Sequence, residues 1–210
     1  YISNLDGSLS LRFAPLSATG GTEVPTSVGD DADAAIYPEW VLVAIEDALG
    51  NHQRIIYHPH ARLPQYIIDG NGQAYFLDFA DVSGRMAKAS PLLRIAALYR
   101  LDILPEPGSD IHRLTEHTTP LIRYRYSEEG DLVAVERHGS VTPVRQFGYR
   151  NHLLISHTDA AGLESSYEYD EYTPQGKVLR NYTNLGEEWR FEYREGHTTV
   201  TDNLGRTEHY

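Results

Sequence analysis

The sequence has no cysteine and few basic residues. The absence of cysteine excludes a disulfide framework and any thiolate chemistry. The 18 lysines and arginines are outnumbered by 30 aspartates and glutamates, which gives a formal net charge of -12 at pH 7. Such an acidic chain disfavours nucleic acid and anionic membranes as partners. Its apolar runs are only a few residues long, so we predict no membrane-inserted segment.

The common catalytic motifs are also absent from the sequence. It contains neither a glycine-rich phosphate loop nor a histidine pair with a glutamate at helical spacing. It has no G-x-S-x-G nucleophile elbow. His157 and Asp159 form a candidate pair for a hydrolase, but Asp159 is fully explained as a turn residue. We therefore predict that the chain is not an enzyme and binds no cofactor.

Two clusters of potential metal ligands are an acidic group and a histidine group. Their members are Asp30, Asp31 and Asp33, and His52, His58 and His60. The acidic group lacks the spaced ligands and the glycine of a calcium loop. The histidine group has no cysteine partner and no third ligand at helical spacing. We predict that both groups are solvated surface residues and that no metal is bound.

Tyrosine is abundant, with 15 Tyr against 5 Phe. Tyrosine suits half-exposed strands, because its ring packs while its hydroxyl stays in contact with water. A chain of 210 residues is long enough for one all-β domain with a sizeable core.

One short pattern recurs along the chain. It consists of an Asp or Thr, a Gly three positions later, and apolar or aromatic residues five and seven positions after that Gly. Four full copies and a truncated fifth are Asp47, Gly50, Ile55 and Tyr57; Asp69, Gly72, Leu77 and Phe79; Asp159, Gly162, Tyr167 and Tyr169; Thr183, Gly186, Phe191 and Tyr193; and Asp202 with Gly205. Such recurrence indicates a repeat protein.

Each copy predicts one turn and one strand. An Asp at the first corner of a type I turn accepts hydrogen bonds from nearby backbone amides, and Gly is favoured at the last corner. A glycine with positive φ closes the hairpin with a bulge. The residues at plus five and plus seven then share one face of the strand. One such unit cannot bury its own apolar face, so stacked neighbours must cover it.

These motifs resemble the YD repeats of the rearrangement-hotspot (RHS) family. The resemblance rests on YEYD at 167–170, YRYSEEGDL at 124–132, TDNLGR at 201–206 and DALGN at 47–51. It implies antiparallel strands that form part of a large spiralling β-sheet shell. The aspartate-dependent autoproteolysis motif of the family contains an Asp-Pro dipeptide, which this sequence lacks. The resemblance therefore implies that this chain is part of the wall of the shell and does not contain the autoproteolysis site.

The resemblance also implies a function and a location. RHS proteins are bacterial delivery proteins whose shell encloses a C-terminal toxin, often loaded on a type VI secretion apparatus. The expected partners are the remainder of the shell, the enclosed toxin domain and proteins of the secretion apparatus. We expect such a protein to be made in the bacterial cytoplasm and then secreted or delivered into target cells.

Four regions follow from the patterns along the chain. Residues 1–40 contain a strand and a loop, and 41–85 contain the first repeats. Residues 86–120 read as an irregular insertion or crossover, although 91–104 fits either a strand or an amphipathic helix. Residues 121–210 form a repeat sheet that ends inside a repeat. We expect a fragment of a longer protein whose cut edge strands are prone to association.

A carbohydrate- or cell-surface-binding module is the alternative function. Exposed tyrosines and the two tryptophans, Trp40 and Trp189, could stack on sugar rings. Trp189 falls inside a predicted repeat strand, so the sequence does not indicate a flat aromatic platform.

Overall fold

The structure, a computed structural model, describes residues 2–3, 7–16, 39–58, 62–83, 91–106 and 111–210. These residues form sixteen strands and one helix of five residues. The acidic cluster at 30–33 and His60 lie outside the described residues. The chain divides into two compact units.

The first unit comprises Tyr1–Asp78 and Ala97–Pro120. Its elements are β1 (Ile2–Ser3), β2 (Leu9–Pro15), β3 (Trp40–Asp47), β4 (His52–Tyr57), β5 (Pro64–Ile68), most of β6 (Ala74–Asp81), the second half of β7 (Leu93–Leu101) and α1 (Ile111–Thr115). From β1 to β6, each strand pairs antiparallel with the next one in the chain.

The second unit comprises Phe79–Ala96 and Leu121–Tyr210. Its complete strands are β8 (Ile122–Tyr126), β9 (Leu132–Arg137), β10 (Arg145–Arg150), β11 (Leu153–Asp159), β12 (Glu164–Tyr169), β13 (Val178–Thr183), β14 (Glu188–Arg194), β15 (His197–Asp202) and β16 (Thr207–His209). Consecutive strands again pair antiparallel, so the order in the sheet follows the order in the chain.

The prediction of an all-β, antiparallel fold is confirmed by these pairings. The ambiguous stretch 91–104 forms the strand Leu93–Leu101, and the helical alternative is wrong. Its alternation of apolar residues matches the two-residue period of a strand, and hydrogen bonding to a neighbour outweighs the competing helical spacing. The short helix Ile111–Thr115 also lies in the region that we interpreted as an insertion or crossover.

Burial differs between the two units. All buried hydrophobic side chains of the described residues lie in the first unit: Ala44, Tyr66, Ile68, Ala74, Phe76, Leu77, Ala97, Leu101 and Ile111. The Phe76 ring centroid lies 5.9 Å from that of Tyr66 and 6.1 Å from that of Tyr99. In the described part of the second unit, hydrophobic strand side chains are half-buried or exposed. Backbone ladders and polar cross-strand contacts must therefore supply more of its cohesion.

Candidate functional site

The most regular feature of the structure is a set of equivalent hairpin turns. They run from Asp47 to Gly50, Asp69 to Gly72, Ser127 to Gly130, Asp159 to Gly162, Thr183 to Gly186 and Asp202 to Gly205. In each turn the glycine N–H donates to the carbonyl of the first residue, at 3.0–3.1 Å. The N–H of the first residue donates to the carbonyl of the residue after the glycine, at 2.8–3.0 Å. These glycines have φ between 78° and 90°, the left-handed conformation that favours glycine.

The aspartates brace the turns from inside. Oδ1 of Asp159 accepts the N–H groups of Ala161, at 2.8 Å, and Leu163, at 3.0 Å. Asp47, Asp69 and Asp202 make the same pair of bonds in their own turns. Each carboxylate thus satisfies two backbone donors that the tight loop leaves without a ladder partner.

The turn at Ser127 is one that the repeat pattern missed. It lies within the motif YRYSEEGDL at 124–132, but the recurring pattern has Asp or Thr at its first position and this turn has Ser. Ser127 Oγ accepts the N–H groups of Glu129, at 3.2 Å, and Asp131, at 3.3 Å. A pattern limited to the turn, with Ser admitted at the first position and Gly three positions later, would have found it, because Ser makes the same kind of turn bond more weakly. The full pattern fails here also at plus seven, where Arg137 stands.

Successive turns of the second unit are interlocked by asparagine side chains. Nδ2 of Asn184 donates to the carbonyl of Gly162, at 2.8 Å, and Nδ2 of Asn203 donates to the carbonyl of Gly186, at 2.8 Å. Both asparagines occupy the second position of their turn. Each amide therefore satisfies a carbonyl of the turn that precedes it in the chain, and the turns stack in order.

Tyrosine hydroxyls bridge the open ends of three hairpins. The tyrosine seven positions after the turn glycine donates to a backbone carbonyl on the other strand of its hairpin, fifteen residues earlier. These bonds join Tyr57 to Leu42 at 3.0 Å, Tyr169 to Leu154 at 2.9 Å and Tyr193 to Val178 at 2.8 Å. Burial raises the pKa of all three hydroxyls, so they remain protonated donors at neutral pH.

The bridges lie where the strands of a hairpin have stopped pairing. Between β11 and β12 the paired residues run from Thr158 opposite Glu164 to Ser156 opposite Ser166. Tyr169 lies beyond the last pair. On its other side, β12 shifts register against β13 between Glu168 and Tyr169. A bulge of this kind re-aims a side chain, and here it accompanies the tyrosine that crosses the gap.

The remaining residues of the repeat pattern lie within strands. Tyr167 stacks on His157, with ring centroids 5.9 Å apart, and its hydroxyl lies 3.3 Å from His157 Nδ1. Phe191 lies opposite Val200 on β15. Ile55 lies opposite Ile67 on β5. The other two lie on β6, where Leu77 is buried and Phe79 is half-buried.

The structure engages both members of the candidate hydrolase pair in other contacts. His157 lies against Tyr167, and the Asp159 carboxylate accepts two turn amides. Of the predicted histidine cluster, His52 places Nδ1 3.5 Å from the Gly50 carbonyl. No group of three or more potential metal ligands is found among the residues that the structure describes. Within the same ranges, no helix has the length and apolar character needed to cross a membrane.

Charged side chains form a cross-strand network on β12, β13 and β14. Arg180 lies directly opposite Arg190, with Glu188 between their guanidinium groups. Oε2 of Glu188 lies 2.6 Å from Arg180 Nη2, and Oε1 lies 2.6 Å from Arg190 Nε. The hydrogen bond from Arg180, then that from Arg190, lowers the pKa of Glu188. Glu168 completes the network, 3.3 Å from Arg180.

Comparison with known proteins relates part of this chain to toxins. No protein-family model matches the sequence. Toxin protein Tse5 of Pseudomonas aeruginosa is 43% identical over 91 residues, which cover 43% of this chain and 7% of the relative. Double-stranded DNA deaminase toxin A of Burkholderia cenocepacia is 39% identical over 92 residues, which cover 42% of this chain and 6% of the relative.

A solved structure, the crystal structure of TcdB2-TccC3-TEV, is also similar. It overlaps 77% of this chain and 8% of its own, at 11% identity and a TM-score of 0.30, which is too low to support an argument about the fold. The chain spans less than a tenth of the length of the two curated toxins that it matches. What the comparisons establish is similarity to a short segment of large toxin proteins.

Proposed function

We propose that this chain is a non-catalytic segment of an RHS-type shell that encloses a toxin domain carried by the same, longer protein. The observation that carries the proposal is the series of equivalent hairpins, in which the recurring hydrogen bonds hold the sheet itself together. Turn aspartates, turn glycines and bridging tyrosines all bind backbone groups. None of these contacts presents a reactive group to a substrate.

The burial pattern of the second unit supports a role as part of the shell wall. Its described strands carry half-buried tyrosines and charged pairs in place of a buried apolar layer. Such a sheet tolerates water on both faces, as a partition between a lumen and the outside requires. Its cohesion comes from ladders and from cross-strand pairs worth about 0.2–1 kcal/mol each.

The names and lengths of the relatives support a longer chain in which another segment carries the toxic activity. Both are named as toxins, and the matching segment is only 7% and 6% of their lengths. Zinc-dependent base deaminases need cysteine ligands, and this chain contains no cysteine. An activity of that class would have to lie outside the matched segment. We infer delivery into target cells after synthesis in the bacterial cytoplasm, with the rest of the shell and the toxin domain as partners.

A protection experiment on the longer protein tests this function. Limited proteolysis should leave the enclosed toxin domain intact in the wild type. Replacing Gly162, Gly186 and Gly205 together by Val should open the wall and expose the toxin domain to cleavage. The matched control replaces the same glycines by Asn, which tolerates positive φ better. Equal cleavage of the toxin domain in the wild type and in the valine variant would contradict enclosure.

Carbohydrate binding is the second candidate, and one observation favours it. Trp40 is 60% exposed, and an exposed indole can stack on a sugar ring. Trp189 is half-buried opposite Asp202 and offers less surface. A glycan-array screen distinguishes the two functions: the wall predicts no saturable binding, whereas binding that is lost in Trp40→Ala or Trp189→Ala would support a surface-binding module.

A further inference from the structure

The hairpin turn between β10 and β11 has an unusual residue at its second position. Arg150 pairs with Leu153, so the loop consists of Asn151 and His152. Their φ values are 52° and 65°, as a type I′ turn requires. Asn is favoured at the first position of such a turn and Gly at the second. Few residues other than glycine adopt this conformation, although histidine does so more often than most, and its side chain can make contacts that glycine cannot.

The imidazole of His152 contacts the neighbouring hairpin turn. Its Nδ1 lies 2.9 Å from Oδ1 of Asp131, the residue that closes the Ser127 turn between β8 and β9. The Asp131 side chain is 18% exposed and that of His152 is 55% exposed. The carboxylate therefore lies beneath an imidazole that stays open to exchange of protons with solvent. The pair borders an open groove of about 580 Å³, which Glu129, Val133 and Tyr149 also line.

The same two-residue turn also contacts the loop on its other side. Nδ2 of Asn151 donates to the carbonyl of Tyr172, at 3.0 Å. The Arg150 guanidinium lies 4.0 Å from the centroid of the Tyr172 ring. Tyr172 belongs to the loop between β12 and β13. One hairpin tip therefore fastens the turn that precedes it and the loop that follows it in the sheet.

We propose that His152 and Asp131 form a proton-dependent clasp, which ties the β10–β11 hairpin tip to the β8–β9 turn most tightly when the imidazole is charged and holds it more weakly when the imidazole is neutral. The clasp does not rest on the proposed wall function, because it follows from contacts within the second unit alone. It gives this row of hairpins a local element that responds to pH while the backbone ladders stay intact.

The charges around the imidazole set the direction of the response. Asp131 and Glu129 are acidic, Arg150 is a cation that lines the same groove, and Tyr149 lines it as well. Tyr172 lies against the Arg150 guanidinium. The hydrogen bond that His152 donates to Asp131, then the negative charges of Asp131 and Glu129, raises the pKa of His152 above its ordinary value of 6.5. A raised pKa in the folded state stabilises the closed clasp fully below 6.5. That contribution is lost as the pH rises through the folded value.

An NMR titration of the 210-residue chain tests the clasp. The His152 ring should titrate above 6.5, and the amide signals of Glu129 and Asp131 should follow with the same midpoint between about pH 5 and pH 9. In Asp131→Asn the His152 midpoint should fall toward the ordinary value. In His152→Gly, which suits the left-handed turn, the fold should persist and the response of the Glu129 and Asp131 amides should vanish.

A second histidine provides the matched control. His157→Asn alters an imidazole that lies against Tyr167, so it should leave the response of the Asp131 amide unchanged. The same His152 midpoint in the wild type and in Asp131→Asn would overturn the proposal. So would Glu129 and Asp131 amide signals that respond equally in the wild type and in His152→Gly.

Discussion

The hydroxyl of Tyr169 donates a hydrogen bond to the main-chain carbonyl of Leu154, with the two oxygen atoms 2.9 Å apart. Tyr57 and Tyr193 make the same bond at the same separation of fifteen residues in their own hairpins. The bond spans the end of the hairpin at which the strands have ceased to pair. It explains why tyrosine and not phenylalanine stands at this position in three of the four full repeats.

Removing one of these hydroxyls should destabilise the sheet. We expect Tyr169→Phe to lower the free energy of unfolding by about 0.5–1.5 kcal/mol, because the Leu154 carbonyl loses its partner while the ring still packs. Urea denaturation followed by tyrosine and tryptophan fluorescence measures the change. Tyr124→Phe is the control, since the described residues offer its hydroxyl no hydrogen-bond partner. An equal loss in both variants would contradict the bridge.

The turn glycines should tolerate asparagine better than a β-branched residue. Gly186 has φ of 90°, and a Cβ built there meets no other atom within 4 Å. The cost of substitution is therefore conformational and not steric. We expect Gly186→Val to cost on the order of 1–3 kcal/mol and Gly186→Asn to cost less, because Asn enters the left-handed region more readily. Thermal unfolding of both variants measures these costs. Equal stability of Gly186→Val and wild type would refute a conformational requirement for glycine at this position.

Glu188 should contribute more to the stability of the fold at low salt than at high salt. Arg180 and Arg190 face each other directly across β13 and β14, and Glu188 contacts both. Glu188→Gln leaves two like charges opposed, so stability should fall, and added salt should reduce the loss by screening the repulsion. Glu192→Gln is the control, because Glu192 and its partner Arg194 are both 68% exposed. A loss for Glu188→Gln that is independent of salt would contradict this account.

Acid should weaken the turn at Asp47. The side-chain hydrogen bond from Asn51, together with backbone N–H donors of the turn, holds the pKa of the Asp47 carboxyl below its ordinary value of 3.8. A depressed pKa in the folded state contributes stability above 3.8 that is lost as the pH falls through the folded value. We expect unfolding curves of wild type and Asp47→Asn to converge as the pH is lowered from about 6 to about 2. A constant difference over that range would show that ionisation of Asp47 is not involved.

Local features of the fold could be predicted because their causes are local. The Asp159 turn is closed by hydrogen bonds among residues 159–163, all of which are visible in one short window of sequence. The alternation of strand residues follows from the same short-range geometry. The Ser127 turn lies in the resembling segment 124–132, but it departs from the recurring pattern at its first position, Ser127, and at plus seven, where Arg137 stands.

Contacts between distant residues could not be predicted. The bond from Tyr169 to Leu154 and the pairing of His152 with Asp131 join residues 15 and 21 positions apart. Each depends on the register of a strand and on a bulge or a left-handed turn. A shift of one residue would turn these side chains to the other face. The sequence pattern does not specify that register by itself.

The sequence alone determined that this chain is a series of glycine-closed hairpins, because a turn and its strand are encoded within a dozen neighbouring residues. The tertiary structure decided which side chains fasten those hairpins together: tyrosines across the open ends, asparagines between stacked turns and His152 against Asp131. The reason is physical, since such contacts form only after each strand has taken its register against the next.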